Sequence, residues 1–392
     1  MRPEYKQTEV GVIPEDWDVV NLSVAASMKS GEGITSARID EFSEYPCYGG
    51  NGLRGFTKVF THDGRCALVG RQGALCGNVL GVEGKFFASE HAIVVTARAR
   101  TDIRWLTFLL GQMRLNRYSE SSAQPGLSVS KLLQLKIPLP PTKAEQEAIA
   151  EVLSNAETFI DSLEQLLAKE RDLKRGAMQE LLTGKRRLSR FSGEWRSRPL
   201  GEVIANCSSG ATPYRGRADF YKGNVKWITS GELNFNVVTD TLEHISEEAV
   251  RKTNLKLHPA GTFLMAITGL EAAGTRGACA IVGNPATTNQ SCMAIYPSAE
   301  LRTDYLYHYY VLRGDELALR YCQGTKQQSY TAKLVKLLPI DLPPSLGEQA
   351  AIATILSDID AACAALEERL MKARNLKQGM IQELLTGKTR LV

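Results

Sequence analysis

The heptapeptide QELLTGK occurs twice in this chain, from Gln179 to Lys185 and again from Gln382 to Lys388. The likeness extends far upstream. Shifted by 203 positions, residues 139–188 align without a gap on residues 342–391, with 27 identities in 50. A period of about 200 residues is much too long for a solenoid, whose repeats run to about 20–50 residues. The chain therefore contains two copies of a whole domain, each followed by a connector.

Each copy of the repeat carries the start and stop signals of one long helix. It opens with Leu-Pro-Pro, and proline suits the first turn of a helix. It closes with Thr-Gly-Lys, where glycine can adopt the left-handed conformation that ends a helix. Between these signals apolar residues recur at spacings of three and four, which predicts a coiled coil of about five heptads. The residues predicted to pair the helices are Ile149, Val152, Phe159, Leu163, Leu166, Leu173, Ile352, Ile355, Ile359, Leu366 and Leu376.

The charge of the first helix changes sign along its length, from acidic up to Glu164 to basic from Lys169. This polarity suits the helix dipole, and it lets two antiparallel helices place acid opposite base. We therefore predict that the two helices pair within the chain, because an intramolecular partner has a high effective concentration. A homodimeric coiled coil is the alternative. Each helix spans roughly 36 residues, on the order of 54 Å at 1.5 Å per residue, which is typical of a spacer.

The chain order predicted from these features has five parts. They are an N-terminal segment (1–16), a first block (17–138), a first spacer helix (139–187), a second block (188–341) and a second spacer helix (342–392). Short strands punctuated by glycine, then a helix, predict loop-rich mixed α/β blocks. The expected fold class is α/β (α+β), with two such blocks separated by two long antiparallel coiled-coil helices in a pseudo-twofold repeat. Similar ends around divergent interiors indicate variable readers on a constant frame.

Composition narrows the functional classes. The chain has no apolar run of 18 residues and no apolar core near its N-terminus, so we expect a cytoplasmic protein that contacts no membrane. Its eight cysteines form no C-x-x-C pair, and with five histidines they give no zinc pattern. Residues 185–198 carry six Lys/Arg and one Glu, which indicates either a polyanion-binding patch or a solvated linker.

Several stretches together resemble the specificity (S) subunit of type I restriction–modification systems. They are IPEDWDVVNL, YPCYGGNGLRGF, LVGRQGALCGNVLGVEGKFFASEHAIVV, LTGKRRLSRFSGEW, FLMAITG with GTRGACAIVG, ATTNQSCMAIYP, and both LPP…EQxAIA…QELLTGK segments. The resemblance covers nearly the whole chain. It implies a bacterial or archaeal protein without a catalytic centre, in which each block is a target recognition domain that reads one half of a bipartite, asymmetric site in double-stranded DNA.

The resemblance also implies partners and cofactors. Two methyltransferase (M) subunits would dock on the helices and carry S-adenosylmethionine, and two restriction (R) subunits would carry ATP and Mg²⁺. No cofactor is expected in this chain. The rival interpretations are a solitary DNA methyltransferase or nuclease and a coiled-coil adaptor that does not bind DNA. The sequence lacks an N/D-P-P-Y/F loop and a G-x-x-x-x-G-K-[ST] motif, and Asp63 followed by Glu83 and Lys85 is a weak nuclease-like spacing.

Base recognition requires forked or amide side chains, such as Arg for guanine and Asn or Gln for adenine. Candidates lie on glycine-flexed loops, with aromatic residues beside them. In the first block they are Tyr48, Asn51, Arg54, Arg71, Gln72, Asn78 and Gln124. In the second block they are Tyr214, Arg215, Arg217, Arg276, Asn289, Gln290, Lys326, Gln327 and Gln328. Gln124 and Gln327 align at the 203-residue offset, so a structural role for both is the alternative. YGGNG at Tyr48–Gly52 is interpreted either as a phosphate cradle or as a plain turn.

Overall fold

The computed structural model describes residues 4–73, 75–119, 126–270, 274–324 and 328–391. By its internal contacts the chain divides into two compact units. Unit 1 comprises Met1–Gln165 with Glu368–Val392, and unit 2 comprises Leu166–Glu367. The division passes through both long helices rather than along the predicted boundaries. Each unit therefore contains one block together with a part of each helix.

Unit 1 is a mixed α/β structure with two four-stranded sheets. Its strands are β1 (Tyr5–Thr8), β2 (Gly11–Pro14), β3 (Asp18–Asn21), β4 (Ala26–Ser30), β5 (Tyr45–Gly49), β6 (Gly52–Thr57), β7 (His62–Asp63), β8 (Cys66–Gly70), β9 (Val79–Val82), β10 (Lys85–Ala88), β11 (Ala92–Ala97) and β12 (Lys136–Leu139). Its helices are α1 (Leu22–Ala25), α2 (Ile103–Gln112), α3 (Val129–Leu133) and the first part of α4 (Lys143–Leu181). The sheet orders are β4-β11-β8-β9 and β6-β5-β10-β7, with β5 and β10 parallel.

The core of unit 1 lies between the first sheet and α2. Asp102 caps α2 by accepting hydrogen bonds from the backbone N–H groups of Arg104 and Trp105 at 3.0 and 2.9 Å, and the Trp105 ring is fully buried. The start of α4 is fastened to this cap, because the Gln146 side chain accepts from the Asp102 N–H at 2.8 Å and donates to the Arg100 carbonyl at 3.2 Å. Buried glutamine thus anchors the long helix to the block that precedes it.

Unit 2 contains the second block. Its strands are β13 (Arg196–Pro199), β14 (Ile204–Ser209), β15 (Val225–Ile228), β16 (Asn236–Val238), β17 (His244–Ile245), β18 (Phe263–Ala266), β19 (Cys279–Val282), β20 (Thr287–Thr288), β21 (Cys292–Pro297) and β22 (Pro339–Leu342). Its helices are α5 (Leu200–Val203), α6 (Glu247–Lys252), α7 (Thr303–Tyr321), α8 (Ala332–Leu337), and parts of α4 and α9 (Leu346–Leu384). The sheet orders are β14-β21-β18-β19-β16 and β17-β15-β20.

The two blocks share one topology despite their divergent sequences. The order β4-β11-β8-β9 in unit 1 recurs as β14-β21-β18-β19 in unit 2, and the parallel pair β5/β10 recurs as β15/β20. The helix anchor recurs as well, since Gln349 accepts from the Arg302 N–H and donates to the Glu300 carbonyl, both at 2.9 Å. The expected fold class and internal repeat are confirmed.

In each unit, α4 and α9 run antiparallel and join acid to base. The ion pairs are Glu157–Lys377 and Glu164–Arg374 in unit 1, and Lys174–Asp360 and Arg171–Glu367 in unit 2, with N–O distances of 2.5–2.6 Å. Adding 203 to each residue of the first helix gives its counterpart on the second, so the four contacts are two contacts repeated. The pairing follows from the charge polarity of the sequence.

The predicted heptad register needs a correction at every second position. Ile149, Leu163, Ile352 and Leu366 are buried as expected, Ile359 is partly buried, and so are Val152 and Ile355. However, Phe159, Leu166, Leu173 and Leu376 are 48, 41, 56 and 66% exposed. The buried residues of α4 are instead those that follow Val152, Phe159 and Leu166, namely Leu153, Ile160 and Leu167, and their counterparts at the 203-residue offset in α9 are Leu356, Cys363 and Leu370. The buried contact between the helices, their seam, therefore continues from Ile149 to Leu153 and from Ile352 to Leu356, a spacing of four residues instead of the predicted three.

Within the described residues, helix α9 could cross a membrane if only its length and composition are considered. Its Asp360 and Glu367 nevertheless form ion pairs with α4 in unit 2. Ionised side chains are rare and costly in lipid, whereas a helix packed on another in water carries them readily. The expectation of a protein without a membrane span therefore rests on these ion pairs and not on hydropathy alone.

Candidate nucleic-acid interface

Three loops of unit 1 converge at one end of its sheets, and we call them the unit-1 loop cluster: Tyr48–Arg54, Gly70–Gly73 and Ser89–His91. Their backbones are in close contact. A Cβ atom on Gly50 would lie 2.8 Å from the His91 carbonyl oxygen, and one on Gly70 would lie 2.5 Å from the Gly50 carbonyl oxygen. Glycine at these two positions is thus explained by close approach of the loops, which favours the plain-turn interpretation of YGGNG.

The unit-1 loop cluster brings together Tyr48, Asn51, Arg54, Arg71 and Gln72 from the predicted set. The Gln72 side chain lies 3.2 Å from Nδ1 of His91, whose Nε2 is 3.2 Å from Glu90. Sequence reasoning missed Glu90 and His91 as members of the cluster. The signal was the polar Ser-Glu-His between two buried strands.

The side chains of the first predicted set differ in their surroundings. Asn51 and Arg54 are exposed, and the Tyr48 ring packs edge-on against Phe86 with centroids 6.0 Å apart. Asn78 is exposed farther along the β8–β9 connection, where its carbonyl accepts from the Gly70 N–H at 2.8 Å. Gln124 lies outside the described residues.

In unit 2 the turn Asn289–Ser291 occupies the position that Ser89–His91 has in unit 1, between the equivalent strands β20 and β21. Asn289 uses its side-chain oxygen to accept from the Ser291 N–H at 3.0 Å, and the exposed Gln290 side chain is hydrogen-bonded by the Thr212 hydroxyl. A backbone hydrogen bond of 3.1 Å from Ala211 to the Thr288 carbonyl fixes the same loop to β20. The structure thus joins the loop after β14 to this turn.

The predicted arginines of unit 2 all have carboxylate partners. Arg215 is bidentate to Glu243 at 2.6 and 3.2 Å, which raises the pKa of its guanidinium. Arg217 binds Asp219 through Nε at 2.8 Å and also approaches Glu248 at 3.4 Å. Arg276 binds Asp315 through Nε at 2.8 Å with only 15% of its side chain exposed. The structure therefore does not present these residues as unpaired cations.

The remaining predicted residues of unit 2 differ in exposure. Tyr214 is 73% exposed, and its ring lies against Gly216, where a Cβ atom would meet it at 2.5 Å. Gln328 is partly buried. Lys326 and Gln327 lie outside the described residues.

Groups suited to metal or nuclease chemistry are not assembled in the described parts of the chain, where no three His, Cys, Asp or Glu side chains could hold a metal ion together. Two residues of the weak nuclease-like spacing, Glu83 and Lys85, make ordinary contacts. Glu83 forms an ion pair with Arg65 at 2.8 Å, and the Lys85 ammonium lies 5.0 Å above the Phe60 ring. The arrangement in both units is one of loops that present hydrogen-bonding side chains.

Residues 14–169 and 192–373 match the family described as the type I restriction modification DNA specificity domain. The chain is 44% identical over 146 residues to the EcoprrI specificity subunit of Escherichia coli, covering 36% of each chain. It is 27% identical over 253 residues to the EcoR124I/EcoR124II specificity subunit of Escherichia coli, covering 64% of this chain and 62% of that one. The matched regions thus span about a third of the first relative and just under two thirds of the second.

Longer matches exist at lower identity. The putative MjaX specificity subunit of Methanocaldococcus jannaschii is 23% identical over 442 residues, covering 99% of this chain and 97% of the relative. The crystal structure of a type I restriction–modification S subunit from M. genitalium superposes with a TM-score of 0.70 at 17% identity, covering 98% of this chain and 99% of that one. At this identity the superposition establishes a common fold.

Proposed function

The chain belongs to the family of type I restriction–modification DNA specificity proteins, and on this premise we propose that it is the DNA-reading subunit of such an enzyme. Each unit would read one half of a bipartite site in double-stranded DNA. The observation that supports this most is the common topology of the two blocks, whose equivalent turns carry different polar residues, Ser89–His91 and Asn289–Ser291. One scaffold with two sets of side chains suits the recognition of two different short sequences.

The proposal includes the partners that the sequence predicts. The ion pairs between α4 and α9 repeat at the 203-residue offset, so the chain offers two similar helical surfaces. Two like surfaces suit two like methyltransferase subunits, which would carry S-adenosylmethionine. Two restriction subunits would join with ATP and Mg²⁺, and the complex would act in the cytoplasm. This chain itself would contribute binding and no catalytic group.

We also propose that the helices set the number of base pairs between the half-sites. Each has 39 residues, on the order of 58 Å at 1.5 Å per residue. Duplicating Ala168–Arg171 would add about 6 Å to α4, and DNA rises about 3.4 Å per base pair. The gap should then grow by one or two base pairs while both half-sites keep their sequences. An unchanged gap with full activity would contradict the spacer role.

The test of the DNA-reading function is to express the chain with its methyltransferase partner and sequence the methylated bases of the host genome. A bipartite motif is expected, and none should form without the partner. The double variant Arg54→Ala/Gln72→Ala in the unit-1 loop cluster should alter one half of the motif. Gln290→Ala in unit 2 should alter only the other half, so each variant controls for the other.

Two rival functions make different predictions in the same system. Methyl transfer by the purified chain with S-adenosylmethionine alone would establish a solitary methyltransferase. Unchanged methylation in both sets of variants, with the complex intact, would favour an adaptor that does not contact bases. A competition assay across a salt series adds a second measurement, because phosphate contacts make DNA affinity fall steeply with salt.

A further inference from the structure

Arg215 differs from the other predicted arginines of unit 2 in the edge of its guanidinium that remains open. Glu243 binds the two terminal nitrogens, with Nη1–Oε2 at 2.6 Å and Nη2–Oε1 at 3.2 Å. A guanidinium has five N–H groups, so this end-on pair leaves the edge formed by Nε and Nη2. Within the described part of the chain, the Arg215 Nε–H has no hydrogen-bond partner. In Arg217 and Arg276 the Nε–H is already donated to a carboxylate.

The Arg215 guanidinium is also held in place by two aromatic rings. It lies 4.4 Å from the centre of the Tyr221 ring and 5.1 Å from the Trp227 ring, both within the range of cation–π attraction. The two rings are fixed in turn by the loop that carries Arg215. The Tyr221 hydroxyl donates to the Pro213 carbonyl at 2.5 Å, and Trp227 Nε1 donates to the Ala211 carbonyl at 3.1 Å. The loop, the rings and the arginine therefore form one locked assembly.

Stability does not explain this arrangement. The Arg215 side chain is 56% exposed and that of Glu243 is 40% exposed, and ion pairs at such exposure contribute little to folding because water and salt screen them. Ordering a long side chain also costs conformational entropy. When this cost is met during folding it no longer opposes binding, so a fixed and exposed arginine is suited to recognition.

The open edge is complementary to one base. Nε and Nη2 present two parallel N–H donors, which match the O6 and N7 acceptors of guanine in the major groove. Adenine carries an amino group where guanine has O6, so one N–H of the arginine would point at an N–H of adenine and no hydrogen bond would form there. The carboxylate of Glu243 prevents the guanidinium from rotating and strengthens its polarisation.

We propose that Arg215, supported by Glu243 and stacked on Tyr221 and Trp227, reads a guanine in the half-site recognised by unit 2. The inference rests on the proposed DNA-reading function and names one base of its substrate. Gln290 is hydrogen-bonded to the same loop through Thr212, so the loop that carries the arginine is also joined to an amide side chain.

The test uses the complete methyltransferase complex and the methylated motif of the wild type as reference. Arg215→Ala should relax one guanine position in the unit-2 half-site, with discrimination against other bases falling on the order of 5- to 150-fold. The other half-site should be unchanged. Arg215→Lys should relax the same position, because lysine keeps the charge but lacks the fork. Glu243→Gln should relax it to a smaller extent.

Arg251→Ala is the control. Arg251 also lies in unit 2, on α6, is exposed and pairs with a carboxylate, that of Glu247, at 3.7 Å, but it is not among the predicted base-reading residues. The motif of this variant should be that of the wild type, and Glu247 would remain well solvated after the change. The intact half-site in every variant, together with an unchanged melting temperature, shows that the complex is folded.

Three outcomes overturn the inference. An unrelaxed motif in Arg215→Ala means that the residue reads no base. A uniform loss of affinity for all sequences, with a shallower salt dependence, means that it contacts phosphate. Loss of both half-sites together means a structural role. If the wild-type complex produces no bipartite motif, the proposed function itself fails, which is a distinct result.

Discussion

Exchanging Leu167 for alanine is expected to loosen α4 far more than the same exchange at Leu166, its immediate neighbour. The apolar pattern of the sequence assigns Leu166 to the helix seam. In the structure Leu166 is 41% exposed, whereas Leu167 is only 6% exposed. The two leucines have identical chemistry, so the comparison isolates the register of the helix pair.

The expected magnitudes follow from burial. Leucine to alanine removes three carbons, each contributing about 0.8 kcal/mol when fully buried, or about 2.4 kcal/mol together. Nearly all of this applies to Leu167, and a residual cavity raises the loss to about 3 kcal/mol. At Leu166 the exposed fraction reduces the transfer contribution to about 1.4 kcal/mol, and the higher helix propensity of alanine offsets a few tenths of it. The difference between the variants should be about 2 kcal/mol.

Hydrogen exchange of α4 peptides in the isolated full-length chain is the appropriate assay, because it reports local opening without assuming two-state unfolding of a two-unit protein. A loss of about 3 kcal/mol accelerates exchange about a hundredfold where opening limits it. The Leu166→Ala variant should differ from the wild type by less than about tenfold. Equal acceleration in both variants, or a larger effect at Leu166, would refute the seam described above.

Three further predictions concern stability. Arg390→Ala removes the bidentate partner of the buried Glu145 carboxylate, so unit 1 should lose about 3 kcal/mol in a denaturant titration, and a smaller loss would show that Glu145 is solvated. Burial lowers the pKa of His308 to about 4, below its usual 6.5. The unfolded chain therefore binds the proton more readily between these values, so the contribution of His308 to stability should fall from pH 6.5 to 4 and be constant above that window. The melting temperature of His308→Phe should depend less on pH, and an unchanged dependence would contradict this. Gly387 has a φ of +69°, and a Cβ there would lie 2.5 Å from Pro14 Cγ; Gly387→Ala should cost more than the roughly 1 kcal/mol of left-handed strain alone, as a calorimetric shift of the unit-1 transition.

The sequence predicts the long helices well because their signals are local. Proline and glycine mark the ends, and charge polarity predicts the antiparallel ion pairs. The register was not predictable in the same way. At Val152–Leu153, Phe159–Ile160 and Leu166–Leu167 two apolar residues are adjacent, so spacings of three and of four both produce an apolar stripe. Only the packing of α4 in the fold selects the second residue of each pair.

The candidate interface was predictable in residue type but not in arrangement. Glycine-flexed loops with Arg, Asn and Gln indicated the regions, and the family is confirmed. The carboxylate partner of Arg215 lies 28 residues away at Glu243, in a different loop that only the sheet topology brings near. The equivalence of Ser89–His91 with Asn289–Ser291 was likewise hidden, because the two blocks keep a common strand order without a common sequence in their interiors.

Unit 1 is composed of residues from both ends of the chain, and this has a consequence for biosynthesis. Arg390 binds Asp16, which is 374 positions earlier, at 2.8 Å, and Leu384 and Leu385 belong to the same buried cluster as Trp17. On the ribosome, residues 1–165 emerge first but lack these contacts until residues 384–390 have emerged as well. Every residue of unit 2 emerges before that point, so we expect the second recognition block to mature before the first. Until then, the nascent first block exposes an apolar surface to chaperones and proteases, and long-range closure of this kind is slow.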